Sequence, residues 1–244
     1  GSVIIVDAGS GIRPLGNSLQ GTEIDRMHIV LTHAHWDHLL GFPFFKPVYQ
    51  KSMQIDLYGC PFAQGSVRSI IQRTMQAPNF PIQLNETRAA LRFHGKCITP
   101  FRIGMLTVTP IMLSHPNRGL GYKFSENDNS FVFLTDNELH YPHPGAMDIE
   151  DYSEFCRDAD LLFHDGEFRN NEYSRRRSWG HSTHLQAVEL GLSASVRKLG
   201  LFHHNQDRTD TQICEMENEA RNLIKDRGSG MACFAVAAGM TFTV

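Results

Sequence analysis

Five short apolar runs, each followed at once by a polar residue, constrain the fold of this chain more than any other feature. The runs, with the residues that follow them, are 3–6 with Asp7, 28–31 with Thr32 and His33, 131–134 with Thr135 and Asp136, 161–163 with His164 and Asp165, and 199–202 with His203. Short continuous apolar runs are typical of strands that are buried on both faces. Proteins of the α/β class place their chemistry just beyond the carboxyl ends of such strands. We therefore predict an α/β protein in which five strands deliver histidines and aspartates to one rim of a sheet.

Three helices are predicted from capping residues and apolar spacing. They cover residues 65–76, a segment that begins at Ser182 or Thr183, and residues 209–226. Hydroxyl and carboxyl side chains at the starts of the last two are typical helix caps. The 244 residues contain no internal repeat, low-complexity tract or linker. The simplest organisation is therefore a single domain over residues 1–244.

The densest group of chemically active side chains is the string His33-Ala-His35-Trp-Asp37-His38. Three imidazoles and one carboxylate within six residues have no packing rationale, because buried polar groups need partners. Neutral imidazole and carboxylate are good ligands for zinc and its first-row neighbours. His33 and His35 can chelate one ion, and Asp37 and His38 can turn toward a second. The string therefore predicts a two-metal site.

This string matches the HxHxDH signature of the metallo-β-lactamase superfamily, and the chain resembles its phosphodiesterase branch, which includes ribonuclease Z. The resemblance implies an αββα four-layer sandwich, with two mixed β-sheets flanked by helices. It also implies metal ligands outside the string: His115, a bridging Asp136 and, last, His203. Asp165 is the alternative bridge and His204 the alternative last ligand. Asp7 is expected to orient a ligand histidine by accepting its other N–H.

The string Gly180-His181-Ser-Thr resembles the His-Ser-Thr motif of the phosphodiesterase branch. It implies that His181 is a general acid, supported by Asp165. The other reading of His181 is a neighbour of a helix cap with no catalytic role. Asp37 is expected to act both as a ligand and as a proton acceptor.

The resemblance implies a hydrolase that uses hydroxide bound to two divalent metal ions, with zinc preferred over manganese or iron. The expected substrate is a phosphodiester, either RNA or a nucleotide of the small or cyclic type. Two other functions stay open: hydrolysis of a lactone, thioester or other acyl compound, and a non-hydrolytic role in metal binding or as a scaffold. The Gly-His-Ser-Thr string favours the phosphodiester.

A net charge of −3 argues against an extended nucleic-acid footprint. Arg175, Arg176 and Arg177 form the only basic run and are expected in a solvated loop, with a clamp for a substrate phosphate as the less favoured alternative. The long basic insertion with which ribonuclease Z grips transfer RNA has no counterpart, and the N-terminal strands of that family are expected to be absent or truncated. No apolar run approaches the ~20 residues of a membrane span. A homodimer is the default assembly for a soluble enzyme.

The five cysteines are scattered and include no Cys-x-x-Cys pair. This pattern predicts no disulfide framework and a reducing, cytoplasmic location.

Overall fold

The computed structural model describes residues 3–61 and 65–244. The chain forms two compact units, Gly1–Thr99 and Pro100–Val244.

The first unit contains a four-stranded sheet in which every neighbouring pair is parallel. Its strands are β1 (Val3–Val6), β2 (Arg26–Val30), β3 (Gln54–Gly59) and β4 (Ala90–Gly95), in that spatial order. Alternate residues of a strand point to opposite faces. One face of β2 and β3 supplies fully buried core residues: Met27, Ile29, Ile55 and Leu57.

Helices α1 (Ile12–Ser18) and α2 (Val67–Thr74) belong to this unit. Ser66 caps α2 by accepting a hydrogen bond from Ser69 N, and Ile70 and Ile71 join the core that contains Ile55 and Leu57. The described residues of this unit also form four short 3-10 helices: Trp36–His38, Phe42–Phe44, Lys46–Tyr49 and Leu84–Glu86.

The second unit contains a seven-stranded mixed sheet of order β11-β10-β9-β8-β7-β6-β5. The strands are β5 (Phe101–Ile103), β6 (Leu106–Met112), β7 (Leu120–Glu126), β8 (Asn129–Leu134), β9 (Leu161–Asp165), β10 (Lys198–Phe202) and β11 (Ala232–Ala235). Strands β5 to β8 pair antiparallel, and β8 to β11 pair parallel. The parallel part therefore brings the carboxyl ends of β8, β9 and β10 to one edge.

The helices of the second unit are α3 (Ile149–Cys156), α4 (Asn170–Tyr173), α5 (His184–Ser193) and α6 (Asp210–Asp226). Thr183 caps α5 and Thr209 caps α6, each by accepting a hydrogen bond from the backbone three residues on. All three helices predicted from the sequence are present, with ends that differ by a few residues.

The α/β class and the five predicted strands are confirmed, but the prediction of one shared rim is wrong. Strands β1 and β2 belong to the parallel sheet of the first unit, whereas β8, β9 and β10 belong to the second sheet. The apolar pattern of a buried strand does not state which strand it pairs with. Of the two sheets, both expected to be mixed, the seven-stranded sheet is mixed and the four-stranded sheet is parallel throughout.

A disulfide between Cys60 and Cys97 corrects the expectation drawn from the cysteines. The two residues follow β3 and β4, which pair in register up to Gly59 and Gly95. Parallel pairing thus places the cysteines side by side, with Cα atoms 4.3 Å apart, although 37 residues separate them along the chain. Because disulfides are rare in reducing compartments, this bond argues against the predicted location.

Among the residues that the structure describes, no helix combines the length and apolar character that a membrane crossing demands.

Candidate metal centre

In the first unit, the loop after β2 gathers the side chains of the predicted metal string. The ring of His33 lies 4.5 Å from that of His35 and 4.1 Å from that of His38, measured between centroids. Ligand atoms of His33 and His35 lie within 4.8 Å of each other, and so do those of Asp37 and His38. The loop thus presents two pairs of donors, as the sequence predicts.

Asp7 fixes the orientation of the His38 ring by a hydrogen bond to its Nδ1. Its carboxylate accepts hydrogen bonds from Thr32 N and Thr32 Oγ1, both at 2.7 Å. Its Oδ2 also lies 2.7 Å from His38 Nδ1 and accepts from it. The other ring nitrogen, Nε2, then lies 3.2 Å from Asp37 Oδ2. Asp7 therefore has the orienting contact that the sequence predicts.

Two glycines let the loop after β1 pack directly against the metal string. Ala8 N donates to His38 O at 2.7 Å, and Gly41 N donates to Ala8 O at 2.9 Å. A Cβ on Gly9 would lie 2.3 Å from the backbone oxygen of Asp37, and one on Gly41 would lie 2.0 Å from Gly9 O. No side chain fits at either position, so this contact between the loops requires glycine.

In the second unit, Asp136 lies between two imidazoles. Its Oδ2 is 3.9 Å from His115 Nε2, and its Oδ1 is 3.4 Å from His203 Nε2. All three residues lie just beyond strand ends, after β6, β8 and β10. One carboxylate oxygen facing each imidazole is the arrangement expected of a carboxylate that bridges two metal ions.

The alternatives left open by the sequence are placed differently. Asp165 uses both oxygens within the protein: Oδ2 accepts from His181 Nδ1 at 2.6 Å, and Oδ1 accepts from Glu167 N at 3.0 Å. His204 is absent from the groups of candidate ligands among the described residues, whereas His203 belongs to two of them. Asp136 also accepts a hydrogen bond from Thr135 Oγ1 at 2.7 Å, and Asp165 belongs to a candidate group with His181 and His203. Asp136 as the bridge and His203 as the last ligand therefore stay predictions.

Three of these residues have left-handed backbone conformations: Asp7 (φ 61°), Asp136 (φ 54°) and His203 (φ 53°). A residue with a Cβ adopts such a conformation at a cost of about 1–3 kcal/mol. Asp7 and His203 follow directly after a strand and Asp136 is the second residue after one, so each lies in the turn that ends the strand. Backbone strain of this kind is concentrated at functional sites.

His181 lies beside this group, between two carboxylates. Its Nδ1 donates to Asp165, and its Nε2 lies 3.5 Å from Glu167 Oε2. The ring stacks on that of His203, with 4.7 Å between centroids. Burial lowers the pKa of His181, but the charge and hydrogen bond of Asp165 outweigh it, so that the pKa is raised. The protonated, proton-donating form of the imidazole is thereby favoured.

Glu167 belongs to the site, although the sequence did not single it out. Its Oε2 lies 3.4 Å from His203 Nδ1, and its Oε1 accepts from Asn205 Nδ2 at 2.9 Å. Burial raises the pKa of Glu167, but contacts with His203, His181 and Asn205 outweigh it and lower the pKa overall. Its position two residues after Asp165, across Gly166, is the signal that could have revealed it.

Glu138 is a second residue that sequence reasoning missed. It is 0% exposed, and its carboxylate accepts hydrogen bonds from Ser178 N, Gly180 N and Tyr173 OH at 2.7–2.9 Å. His143 Nε2 lies 2.9 Å from the same carboxylate. Gly180 in turn places its carbonyl oxygen 3.0 Å from His115 Nδ1. Glu138 therefore holds the loop that orients His115 and leads into His181.

The family model of the beta-lactamase superfamily domain matches residues 3–204. The chain belongs to this superfamily. Ribonuclease Z of Haloarcula marismortui is 24% identical over 267 residues, covering 91% of this chain and 83% of that protein. The predicted metallo-β-lactamase fold and the resemblance to ribonuclease Z are confirmed.

Two solved structures show the same fold. A diphosphatase of the PhnP family gives a TM-score of 0.67 at 16% identity and covers 99% of this chain and 79% of its own. The short form of human tRNase Z gives a TM-score of 0.61 at 20% identity and covers 83% of this chain and 82% of its own.

The donor set of this superfamily member fits divalent metal ions. Imidazole nitrogens and carboxylate oxygens suit zinc, manganese and iron, and ligands to such ions are normally oriented by further hydrogen bonds. In the first unit Asp7 supplies that support to His38, and in the second unit Gly180 O supplies it to His115.

Proposed function

We propose that this protein is a metal-dependent hydrolase that cleaves phosphodiester bonds in RNA or in small or cyclic nucleotides. The observation that carries the proposal is the hydrogen-bonded pair of His181 and Asp165 beside His203. Cleavage of a phosphodiester releases an alkoxide, which needs a proton from a positioned donor. The names of the relatives, ribonuclease Z, tRNase Z and a PhnP-family diphosphatase, support phosphoester chemistry.

The proposed ligands of two divalent ions, with zinc preferred over manganese or iron, are His33, His35, Asp37, His38, His115, Asp136 and His203. When bound, such ions polarise phosphoryl oxygens and lower the pKa of a coordinated water toward 7. The protein's own residues then handle orientation and protons. Asp7 and the Gly180 carbonyl keep the rings of His38 and His115 in place.

His181 is proposed to donate the proton from Nε2 to the leaving oxygen. Asp165 accepts from Nδ1, which fixes the tautomer and stabilises the imidazolium. A positioned general acid contributes typically about 10²–10⁴-fold to the rate. Asp37, whose side chain is 62% exposed, is proposed as the acceptor of a proton from the attacking water as well as a ligand.

Three further statements stay predictions: that residues 1–244 act as one domain, that the protein forms a homodimer, and that it is cytoplasmic. The disulfide argues against the last.

The test is hydrolysis of bis(p-nitrophenyl) phosphate by protein reconstituted with zinc or manganese, beside the Asp136→Ala variant. We expect turnover that requires metal and is lost in the variant, while circular dichroism shows an unchanged fold. A wild-type protein that holds two metals and hydrolyses p-nitrophenyl acetate or a lactone, but no phosphodiester, would identify an acyl hydrolase instead. A wild-type protein that binds no metal would contradict both.

A further inference from the structure

Trp179 exposes a large apolar ring two residues before His181. Trp179 is 60% exposed, whereas tryptophan is highly buried on average. Two residues of chain span at most about 7 Å. The backbone of Trp179 therefore lies within about 7 Å of the backbone of the proposed proton donor.

The backbone that carries Trp179 is tied down on both sides. Ser178 N and Gly180 N donate to Glu138, which is fully buried, and Trp179 N donates to Arg176 O at 3.1 Å. Ser178, which carries a Cβ, has a left-handed backbone (φ 75°). Strained backbone persists only where the surrounding structure holds it. The tryptophan is thus exposed on a fixed loop.

A positively charged segment lies immediately before Ser178 and Trp179 in the sequence. Arg175, Arg176 and Arg177 lead into Ser178 and Trp179. The guanidinium of Arg176 lies 5.3 Å from the ring centroid of Phe168, and that of Arg177 lies 5.4 Å from that of Tyr141. Two of the three arginines thus lie near aromatic rings, and Arg176 also lies 3.8 Å from Glu172 Oε2. Arg175 and Arg177 are exposed in a turn, in agreement with the expected solvated loop. Guanidinium groups bind phosphate oxygens well.

We propose that Trp179 is a stacking platform for a nucleobase of the substrate and that the three arginines attract the neighbouring phosphates. An exposed aromatic ring beside arginines is the combination that binds single-stranded nucleic acid, because every base has a π-face. The inference rests on the proposed function and narrows its substrate class to nucleotides or single-stranded oligonucleotides. A phosphodiester without a base would lack the stacking contact.

The first experiment measures binding without catalysis. The chain has two tryptophans, Trp36 and Trp179, so Trp36→Phe leaves Trp179 as the only one. The fluorescence of this variant, reconstituted with metal, is measured during titration with adenosine 5′-monophosphate and, separately, with ribose 5-phosphate. We expect quenching by the nucleotide and none by the sugar phosphate. Equal responses to both compounds, or no response to either, would overturn the stacking role.

The second experiment uses kinetics. For Trp179→Ala we expect KM for thymidine 5′-(p-nitrophenyl phosphate) to rise about 5- to 100-fold, with kcat/KM for methyl p-nitrophenyl phosphate unchanged. Trp179→Phe should keep most of the affinity, since it retains an aromatic face. Equal losses on both substrates in the alanine variant would overturn the inference.

The two proposals fail in different ways. Nucleotide quenching of a protein that hydrolyses no phosphodiester would support the platform and overturn the proposed function. Hydrolysis of both esters with identical kinetics in wild type and Trp179→Ala would support the function and overturn the platform.

Discussion

Replacing Glu138 with glutamine tests how far the loop before His181 depends on one buried carboxylate. Glu138 Oε1 accepts from Tyr173 OH and Ser178 N, and Oε2 accepts from Gly180 N and faces His143 Nε2. The amide of glutamine keeps one accepting oxygen and puts an NH₂ group in place of the other. Whichever way the amide is turned, one backbone N–H faces a donor.

The cost of Glu138→Gln can be built up from these contacts. A buried N–H without an acceptor costs about 1–3 kcal/mol. Each remaining hydrogen bond loses the contribution of the charge, a difference of about 1 kcal/mol between charged and neutral hydrogen bonds. The total loss of unfolding free energy is about 3–5 kcal/mol, a large share of the ~5–15 kcal/mol that stabilises a typical protein.

The assay is urea unfolding of the metal-loaded protein, followed by tryptophan fluorescence because Trp179 lies in the affected loop. The matched control is Glu126→Gln, an exposed residue at the end of β7, for which we expect a change within about 0.5 kcal/mol. Metal affinity should also fall about 10- to 100-fold, because Gly180 O orients His115. A Glu138→Gln variant that unfolds at the same urea concentration as the control would refute this account of the loop.

Three further predictions concern other residues. His181→Ala is expected to lower turnover of phosphodiesters with poor leaving groups by about 10²-fold or more. Turnover of p-nitrophenyl esters and the metal content of the protein should not change. Equal losses of turnover on alkyl and p-nitrophenyl esters would rule out a general acid. The double variant Cys60→Ser/Cys97→Ser is expected to lose about 4 kcal/mol of unfolding free energy, the value for a loop of 37 residues. Dithiothreitol should lower the stability of the wild type and leave that of the variant unchanged. An equal effect of dithiothreitol on both proteins would contradict the prediction. Burial raises the pKa of Asp56, but hydrogen bonds from His94, Gln54 and Arg26 outweigh it and lower the pKa. The stability that Asp56 contributes is therefore present above its unfolded pKa near 3.9 and is lost as pH falls through the lower folded value. Asp56→Asn should be less stable than wild type at pH 7 by about 2–4 kcal/mol, with the gap closing below about pH 4 in acid-unfolding curves; a gap that does not change with pH would refute it.

Local features of this fold could be predicted from the sequence because local interactions determine them. Thr183 and Thr209 cap their helices through contacts that span three residues, and a capping residue followed by an apolar pattern is visible in any such segment. The metal string shows the same principle, since a loop of six residues cannot separate its own side chains far.

Features that depend on strand pairing could not be predicted. The same apolar pattern describes β2 and β8, yet they belong to different sheets. The disulfide depends on the parallel register of β3 and β4, which Cys60 and Cys97 do not reveal by their spacing.

The supporting residues of the site are also hidden in the sequence. Nothing in the sequence around Glu138 distinguishes it from other acidic residues. Its hydrogen-bond donors lie 35–42 positions away along the chain and meet it only in the folded protein. The sequence likewise cannot choose between Asp136 and Asp165, because both lie at the carboxyl end of a buried strand, within two residues of it.

The left-handed backbone conformations of Asp136 and His203 lower the stability of the protein, although the side chains of both residues are proposed metal ligands. Glycine adopts a positive φ without the steric penalty of a Cβ, so Asp136→Gly and His203→Gly would each relieve strain in the metal-free chain. A laboratory selection for heat resistance alone would not select for these two side chains as ligands, and glycine is the residue that their backbone conformation accepts most easily. Variants with glycine at either position would keep the fold and lose a candidate ligand, so any stabilisation campaign on this protein should hold these two residues fixed.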